Sequence, residues 1–218
     1  MGLASHTVDL AEAARDLTSS SSHSSGLVAM PLVRAAFEGA ITAQWLVHVP
    51  DAIEAWVNEH SRLTTNLVKG LSESSSADFR DAAGDVERNR VLNSLPTTST
   101  TQARKFNEMC EDLQMPIDAY TYFRLVSQYA HPSVECVDLY MDRSSSAPDA
   151  ILLRRHARVD FSGWLHLLAL SVLWAIAAAS TCDKARRTRS EIQAYGRALS
   201  VEPWLKLSDQ AWCRLHAN

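Results

Sequence analysis

Glycine is scarce in this chain, and cysteine is both scarce and dispersed. Only 7 Gly occur in 218 residues, which argues against a turn-rich β fold and favours helices. The 4 Cys lie far apart and form no C-x-x-C pair, which excludes a zinc ribbon and a dithiol redox site. We expect free thiols, a reducing compartment and therefore a cytoplasmic location.

The common motifs of nucleotide and metal chemistry are missing as well. There is no G-x-x-x-x-G-K-[ST], G-x-G-x-x-G or G-x-S-x-G segment, so P-loop, dinucleotide-binding and hydrolase-elbow classes have no support. Neither H-E-x-x-H nor E-x-x-H occurs, and no two of the 8 His are four residues apart. We predict that the protein uses no cofactor and binds no metal.

Charge of one sign is not in large excess, and one uncharged segment is long enough to be compared with a membrane span. The net charge of −4 excludes a surface that is basic throughout and binds polyanions over its whole extent. It still permits a local basic patch. The segment 161–182 has no charged residue and reaches the length of a membrane span. Because Ser, Gly and His interrupt it and basic residues flank both ends, we predict a buried helix and no membrane partner.

Helical periodicity runs through most of the chain, with no series of alternating strands. We predict an all-α fold, a single-domain bundle of about seven to nine helices with one central apolar helix over 161–181. Residues 1–25 form an N-terminal helix and a Ser-rich link, 26–200 the bundle, and 201–218 a Trp-containing tail packed on it. Helical spacing predicts the second helix over about Leu27 to Val49. Because proline is tolerated only near a first turn, Pro31 would move its start to Ala29 or Met30.

Four polar side chains share one face of a helix predicted over 116–130. Arg124 and His131 are seven residues apart, which on a helix places them within about 20° of one direction and about 10.5 Å apart along the axis. Tyr120 and Ser127 lie four residues before and three residues after Arg124, in the same stripe. We expect this stripe to face a cleft or a partner.

Arg124-x6-His131 at the end of a helix resembles the R-x4-6-H motif of the HEPN superfamily. The segment 32–40, with Arg34 and Glu38, resembles an early helix of uncharacterised HEPN-like bacterial proteins. Members of the superfamily are helical bundles, often dimeric, and many are metal-independent ribonucleases of defence and toxin–antitoxin systems. The resemblance implies RNA as substrate, a homodimer, and an antitoxin or regulatory protein as partner. Leu125 departs from the family pattern, which usually has a polar residue directly after the arginine.

The chemistry of RNA cleavage suits these side chains. It needs a base, an acid and a cation for the charged phosphorane, and His131 and Arg124 supply them without a metal. A helix C-terminus favours the imidazolium of His131, which predicts an acid role. Since Arg124 and His131 of one chain are too far apart for one phosphate, a two-fold dimer would join them across its interface.

Further residues are predicted to support this centre. Tyr120, Ser127, Arg34 and Glu38 would stand around the catalytic pair. The predicted phosphate-binding residues are Arg154, Arg155, Arg158, Lys184, Arg186 and Arg187.

Structural roles remain open for the same residues. His131 would cap the last carbonyls of its helix, Arg124 would pair with Glu38 or Glu135, and Arg34 with Glu38 at i, i+4. The basic runs would be solvated faces, and the 6 Trp would belong to the core. The alternative functions are a non-catalytic helical interaction module and a small-molecule-binding or biosynthetic enzyme with a pocket between helices.

Overall fold

The computed structural model describes residues 1–19, 25–88, 94–115, 118–143, 151–157, 159–183 and 187–216. The helices in these ranges are α1 (Gly2–Ser19), α2 (Ser25–His48), α3 (Ala52–Ser72), α4 (Ala77–Arg88), α5 (Thr100–Arg104), α6 (Phe106–Glu111), α7 (Ala119–Ala130), α8 (Val134–Asp138), α9 (Ser162–Thr181), α10 (Arg189–Leu199) and α11 (Asp209–His216). The strands are β1 (Leu113–Gln114), β2 (Met141–Arg143), β3 (Ile151–Leu153) and β4 (Lys206–Leu207). The all-α class is confirmed. More helices occur in the described ranges than were predicted, because α8 is too short for periodicity to reveal it and Lys105, in extended conformation, separates α5 from α6.

The chain divides into two compact units. The first consists of Met1–Val47 and Gln114–Lys206, and the second of His48–Leu113 and Leu207–Asn218. The first unit thus contains α1, α2 and α7 to α10, and the second contains α3 to α6 and α11. The domain boundaries predicted from the sequence stay a prediction.

The core of the first unit is built on α2 and α9. Phe37 and Trp174 are fully buried, and their ring centroids lie 6.3 Å apart. The buried Gln44 donates to the carbonyl oxygens of Trp174 (2.7 Å) and Pro203 (2.9 Å), so its amide is satisfied within the core. The predicted central apolar helix is therefore present, and Trp45 and Trp174 are core residues as expected. Trp56 and Trp212 are exposed, contrary to that expectation.

Two helices meet the length and composition criteria for a membrane span. They are Gly26–His48 and Ser162–Thr181, and the uncharged segment 161–182 corresponds to the second. Half or more of each apolar window is buried inside the chain, and core helices satisfy the same criteria.

Helix α2 begins earlier than predicted. Its first residue is Ser25, and Pro31 lies inside the helix. Proline removes one backbone donor, but Leu27, Ala29 and Met30 are buried in the turn before it. The burial of these side chains holds the additional turn in helical conformation, so the predicted start at Ala29 or Met30 is wrong.

The second unit leaves the large side chains of α3 in solvent. Ala52 and Ala55 are the buried residues of this helix. Ile53, Trp56, Leu63 and Leu67, which give α3 its amphipathic pattern, are exposed. The apolar face of α3 is therefore not part of the core of this chain.

Candidate functional site: an arginine–histidine pair

Helix α2 carries Arg34, and the residue that ends α7 is His131. Nη1 of Arg34 lies 2.5 Å from Nε2 of the exposed His131. Because arginine stays protonated and only donates, Nε2 of His131 is the acceptor. This hydrogen bond assigns the neutral ring with its proton on Nδ1. The contact leaves a cation beside an imidazole in position to accept a proton.

The two ends of α7 are fixed by side-chain hydrogen bonds. The Asp118 carboxylate accepts from the Thr121 backbone N–H (2.9 Å) and hydroxyl (2.7 Å), an N-cap that lowers the pKa of Asp118. At the other end Ser133 donates to the Gln128 carbonyl oxygen (2.6 Å) and accepts from the first turn of α8. His131 lies in extended conformation between these helices. The position of its ring is therefore set by the α7–α8 turn.

An aromatic pair lies beneath the arginine. The guanidinium carbon of Arg34 is 4.8 Å from the centroid of the Phe123 ring, which is cation–π distance. The Tyr120 ring stacks on Phe123 with centroids 6.2 Å apart. Nε of Arg34 is buried and has no hydrogen-bond partner within the described ranges. Arg34 is thus held by an aromatic face and by His131, and its buried Nε donor is unused by any described residue.

Glu38 lies one turn after Arg34 on α2 and is half-buried. The local Arg34–Glu38 ion pair considered from the sequence is not formed, since the guanidinium is turned to His131. Within the described part of the chain the Glu38 carboxylate has no ion-pair or hydrogen-bond partner. The Glu38 carboxylate is therefore an acceptor without a described partner, one turn from Arg34 on α2.

Arg124 and Ser127 do not join this contact. Arg124 is exposed, and no described residue forms an ion pair with it, neither Glu38 nor Glu135. The Ser127 hydroxyl donates to the Phe123 carbonyl oxygen of its own helix (2.6 Å). Of the two arginines predicted for the centre, Arg34 is the one that meets His131 within a chain.

The predicted phosphate-binding residues are only partly described. Arg154 forms an ion pair with Asp142 (2.7 Å). Arg155 and Arg187 are exposed. The other three, Arg158, Lys184 and Arg186, lie outside the described residues.

Within the described residues, no group of three or more His, Cys, Asp or Glu side chains could hold a metal ion. The predicted absence of metal and cofactor stays a prediction.

The fold and the site define an all-α protein with an arginine–histidine pair between two helices. A family model matches residues 1–148, so the chain belongs to the family of unknown function DUF5677. This matched region includes α2 and α7, and hence both members of the pair. No curated protein and no solved structure matches the chain.

Proposed function

We propose that this chain is a HEPN-like, metal-independent endoribonuclease whose reacting pair is Arg34 and His131. The observation that carries the proposal is the 2.5 Å contact between a guanidinium and an exposed imidazole that accepts on Nε2. A base and a cation thus lie within one protomer, at a surface that a polymer can reach. These are the groups that RNA cleavage requires in the absence of a metal.

The reaction follows from these two side chains. Nε2 of His131 takes the proton of a ribose 2′-hydroxyl, and the 2′-oxygen attacks the adjacent phosphorus. Arg34 moves its hydrogen bonds from His131 to the non-bridging oxygens and stabilises the negative charge of the phosphorane. The bond to the 5′-oxygen then breaks, and the imidazolium returns its proton to that oxygen.

The proposed substrate contacts and location extend this reaction. Arg155 and Arg187, which are described and exposed, would bind the phosphate groups of the RNA. All 4 cysteines are free thiols, which supports a cytoplasmic location. We include an antitoxin or regulatory protein as a partner that would block the pair.

The homodimer in this proposal is assigned to the exposed face of α3. Ile53, Trp56, Leu63 and Leu67 are 58%, 42%, 52% and 53% exposed. Their spacing of three, seven and four residues places them in one narrow stripe, as in the seam of a two-stranded coiled coil. A two-fold axis brings such a stripe against its own copy. The Arg34–His131 contact lies within one chain, so the dimer would not be needed to assemble it.

Cleavage of a 5′-labelled RNA pool of mixed sequence, in buffer with a metal chelator, tests the function. Wild type should release products that end in a 2′,3′-cyclic phosphate. His131→Ala and Arg34→Ala should each lower the rate by about 10²-fold or more with an unchanged melting temperature. Arg124→Ala is the matched control, an exposed arginine on α7, and should cleave as wild type does. Wild-type protein that leaves the pool uncut, with and without divalent metal, would overturn the proposal.

A further inference from the structure

A cavity opens between three helices of the first unit. It has a volume of about 670 Å³ and is lined by α1, α9 and α10. Its walls are mostly aliphatic, with Val8 on α1, Val172 and Ile176 on α9, and Ile192 and Leu199 on α10. No lining residue comes from α2 or α7, so this cavity is separate from the Arg34–His131 pair. Its volume lies within the range of about 300–1,000 Å³ that is typical of small-molecule sites.

Large apolar side chains are left in water around this cavity. Leu165, Ile176 and Tyr195 line it and are exposed. Leaving apolar surface in water costs about 25 cal/mol per Å² relative to covering it. A ligand with an apolar body would therefore gain free energy by covering these side chains.

The charged lining residues indicate the polar end of the ligand. Glu12 and Glu191 line the cavity, and among the described residues neither has a partner for its carboxylate. Arg15, the cation among the described lining residues, is paired with Asp16 at 3.0 Å. Ionised carboxylates only accept hydrogen bonds. The cavity therefore suits a head group that donates a hydrogen bond and disfavours a negatively charged one.

We propose that this cavity binds a small molecule with an aliphatic or aromatic body and a hydrogen-bond-donating head group, an amine or an alcohol. The assignment does not depend on the ribonuclease proposal, because the two sites share no residue. It makes this unit a ligand-binding module in addition to the carrier of the arginine–histidine pair.

Displacement of the fluorescent probe N-phenyl-1-naphthylamine tests the site. Dodecylamine, dodecanol and dodecanoate have the same apolar chain and differ in the head group. The amine and the alcohol should displace the probe, and dodecanoate should bind at least about tenfold more weakly, all below their micelle concentrations. Failure of the amine and the alcohol to displace the probe, or equal binding of all three compounds, would overturn the proposal.

Variants locate the binding within the molecule. Ala169→Phe and Ala11→Phe, on facing helices, each fill the cavity and should abolish binding, so that one suffices if the other fails to fold. Glu12→Gln combined with Glu191→Gln should remove the discrimination against dodecanoate. Asp9→Asn is the matched control, an exposed carboxylate on α1 outside the lining, and should keep it. A filled variant that keeps the wild-type melting temperature and wild-type binding would contradict the proposed site.

Discussion

Arg34 and His131 are 97 residues apart in the chain, and their side-chain nitrogens lie 2.5 Å apart. This contact joins α2 to the end of α7, the two segments on which the HEPN-like prediction is based. It gives the imidazole a cation from its own protomer. The sequence predicted a composite site in which Arg124 of one chain acts with His131 of the other. The Arg34–His131 pair within one chain is the alternative to it.

Mixing inactive variants tests whether the Arg34–His131 pair acts within one chain or is shared between two chains. We expect Arg34→Ala and His131→Ala chains to stay inactive when co-refolded, provided that each centre acts with both groups from one chain. A centre shared between chains would recover activity in the mixed dimer, because one intact pair would form. RNA cleavage by the mixture, compared with each variant alone, is the measurement. Recovery of cleavage would contradict the one-chain site.

The end of α7 could be predicted from the sequence, whereas the partner of His131 could not. The end of α7 before Pro132 was predicted because residues before proline avoid helical conformation. For Arg34, the sequence favoured Glu38 at i, i+4, a pair that stabilises a helix by only about 0.2–0.5 kcal/mol. The ring of Phe123 and the nitrogen of His131 compete with that pair in the folded chain. One sequence reveals no such long-range pairing.

Packing explains the other differences from the predicted fold. Pro31 marked a helix start by its local chemistry, but the burial of Ala29 and Met30 extends α2 by a turn. The spacing of Ile53 and Leu63 gives α3 an apolar face. Periodicity does not determine whether another element covers that face, and here it is exposed. Both outcomes depend on tertiary contacts that a local pattern does not contain.

A charge on the exposed stripe of α3 should separate a dimer. We expect wild type to sediment as a dimer and Leu63→Glu/Leu67→Glu as a monomer, because the four introduced carboxylates would be buried and would repel each other across the seam. Thr65→Glu is the control, since Thr65 is exposed elsewhere on α3. RNA cleavage per chain should persist in the monomer. Wild type that sediments as a monomer at high concentration would rule out this interface.

Asp51 should make the stability of the second unit depend on pH. Its carboxylate accepts hydrogen bonds from Thr97 (3.0 Å), from the Thr98 backbone and hydroxyl (2.5 and 2.8 Å), and from Ser99. Burial raises the pKa of Asp51, but the hydrogen bonds from Ser99, Thr98 and Thr97 outweigh it, and the net shift is downward. The stabilisation is therefore complete above the unfolded pKa of about 3.9 and is lost as pH falls through the lower folded-state pKa.

We expect Asp51→Asn to lower the free energy of unfolding by about 1–2 kcal/mol at pH 7. The NH2 group of the amide would face N–H and O–H groups that need an acceptor. Urea unfolding at pH 7 and pH 3 is the measurement, and the difference from wild type should shrink at pH 3. Asp81→Asn, at an exposed carboxylate on α4, should show no such change. An equal loss at both pH values would show that ionisation of Asp51 contributes nothing.

Gly196 should resist a substitution that is favourable in most helices. After α10 the chain reverses through Ser200, which has a φ of 58°, and the Val201 N–H donates to the Gly196 carbonyl oxygen at 2.9 Å. This turn lays Pro203 against Gly196. A Cβ at residue 196 would lie 2.6 Å from Cγ of Pro203 and 2.9 Å from the Val201 oxygen. There is no room for a methyl group without moving the backbone.

We expect Gly196→Ala to lower the free energy of unfolding by about 1–3 kcal/mol, because the steric clash exceeds the gain in helix propensity. Gly70→Ala is the matched control, since a Cβ at that position of α3 meets nothing within 4 Å. There the propensity gain acts alone and should raise the free energy of unfolding by up to about 1 kcal/mol. Urea unfolding followed by circular dichroism measures both. A Gly196→Ala protein as stable as Gly70→Ala would show that Pro203 does not pack on α10.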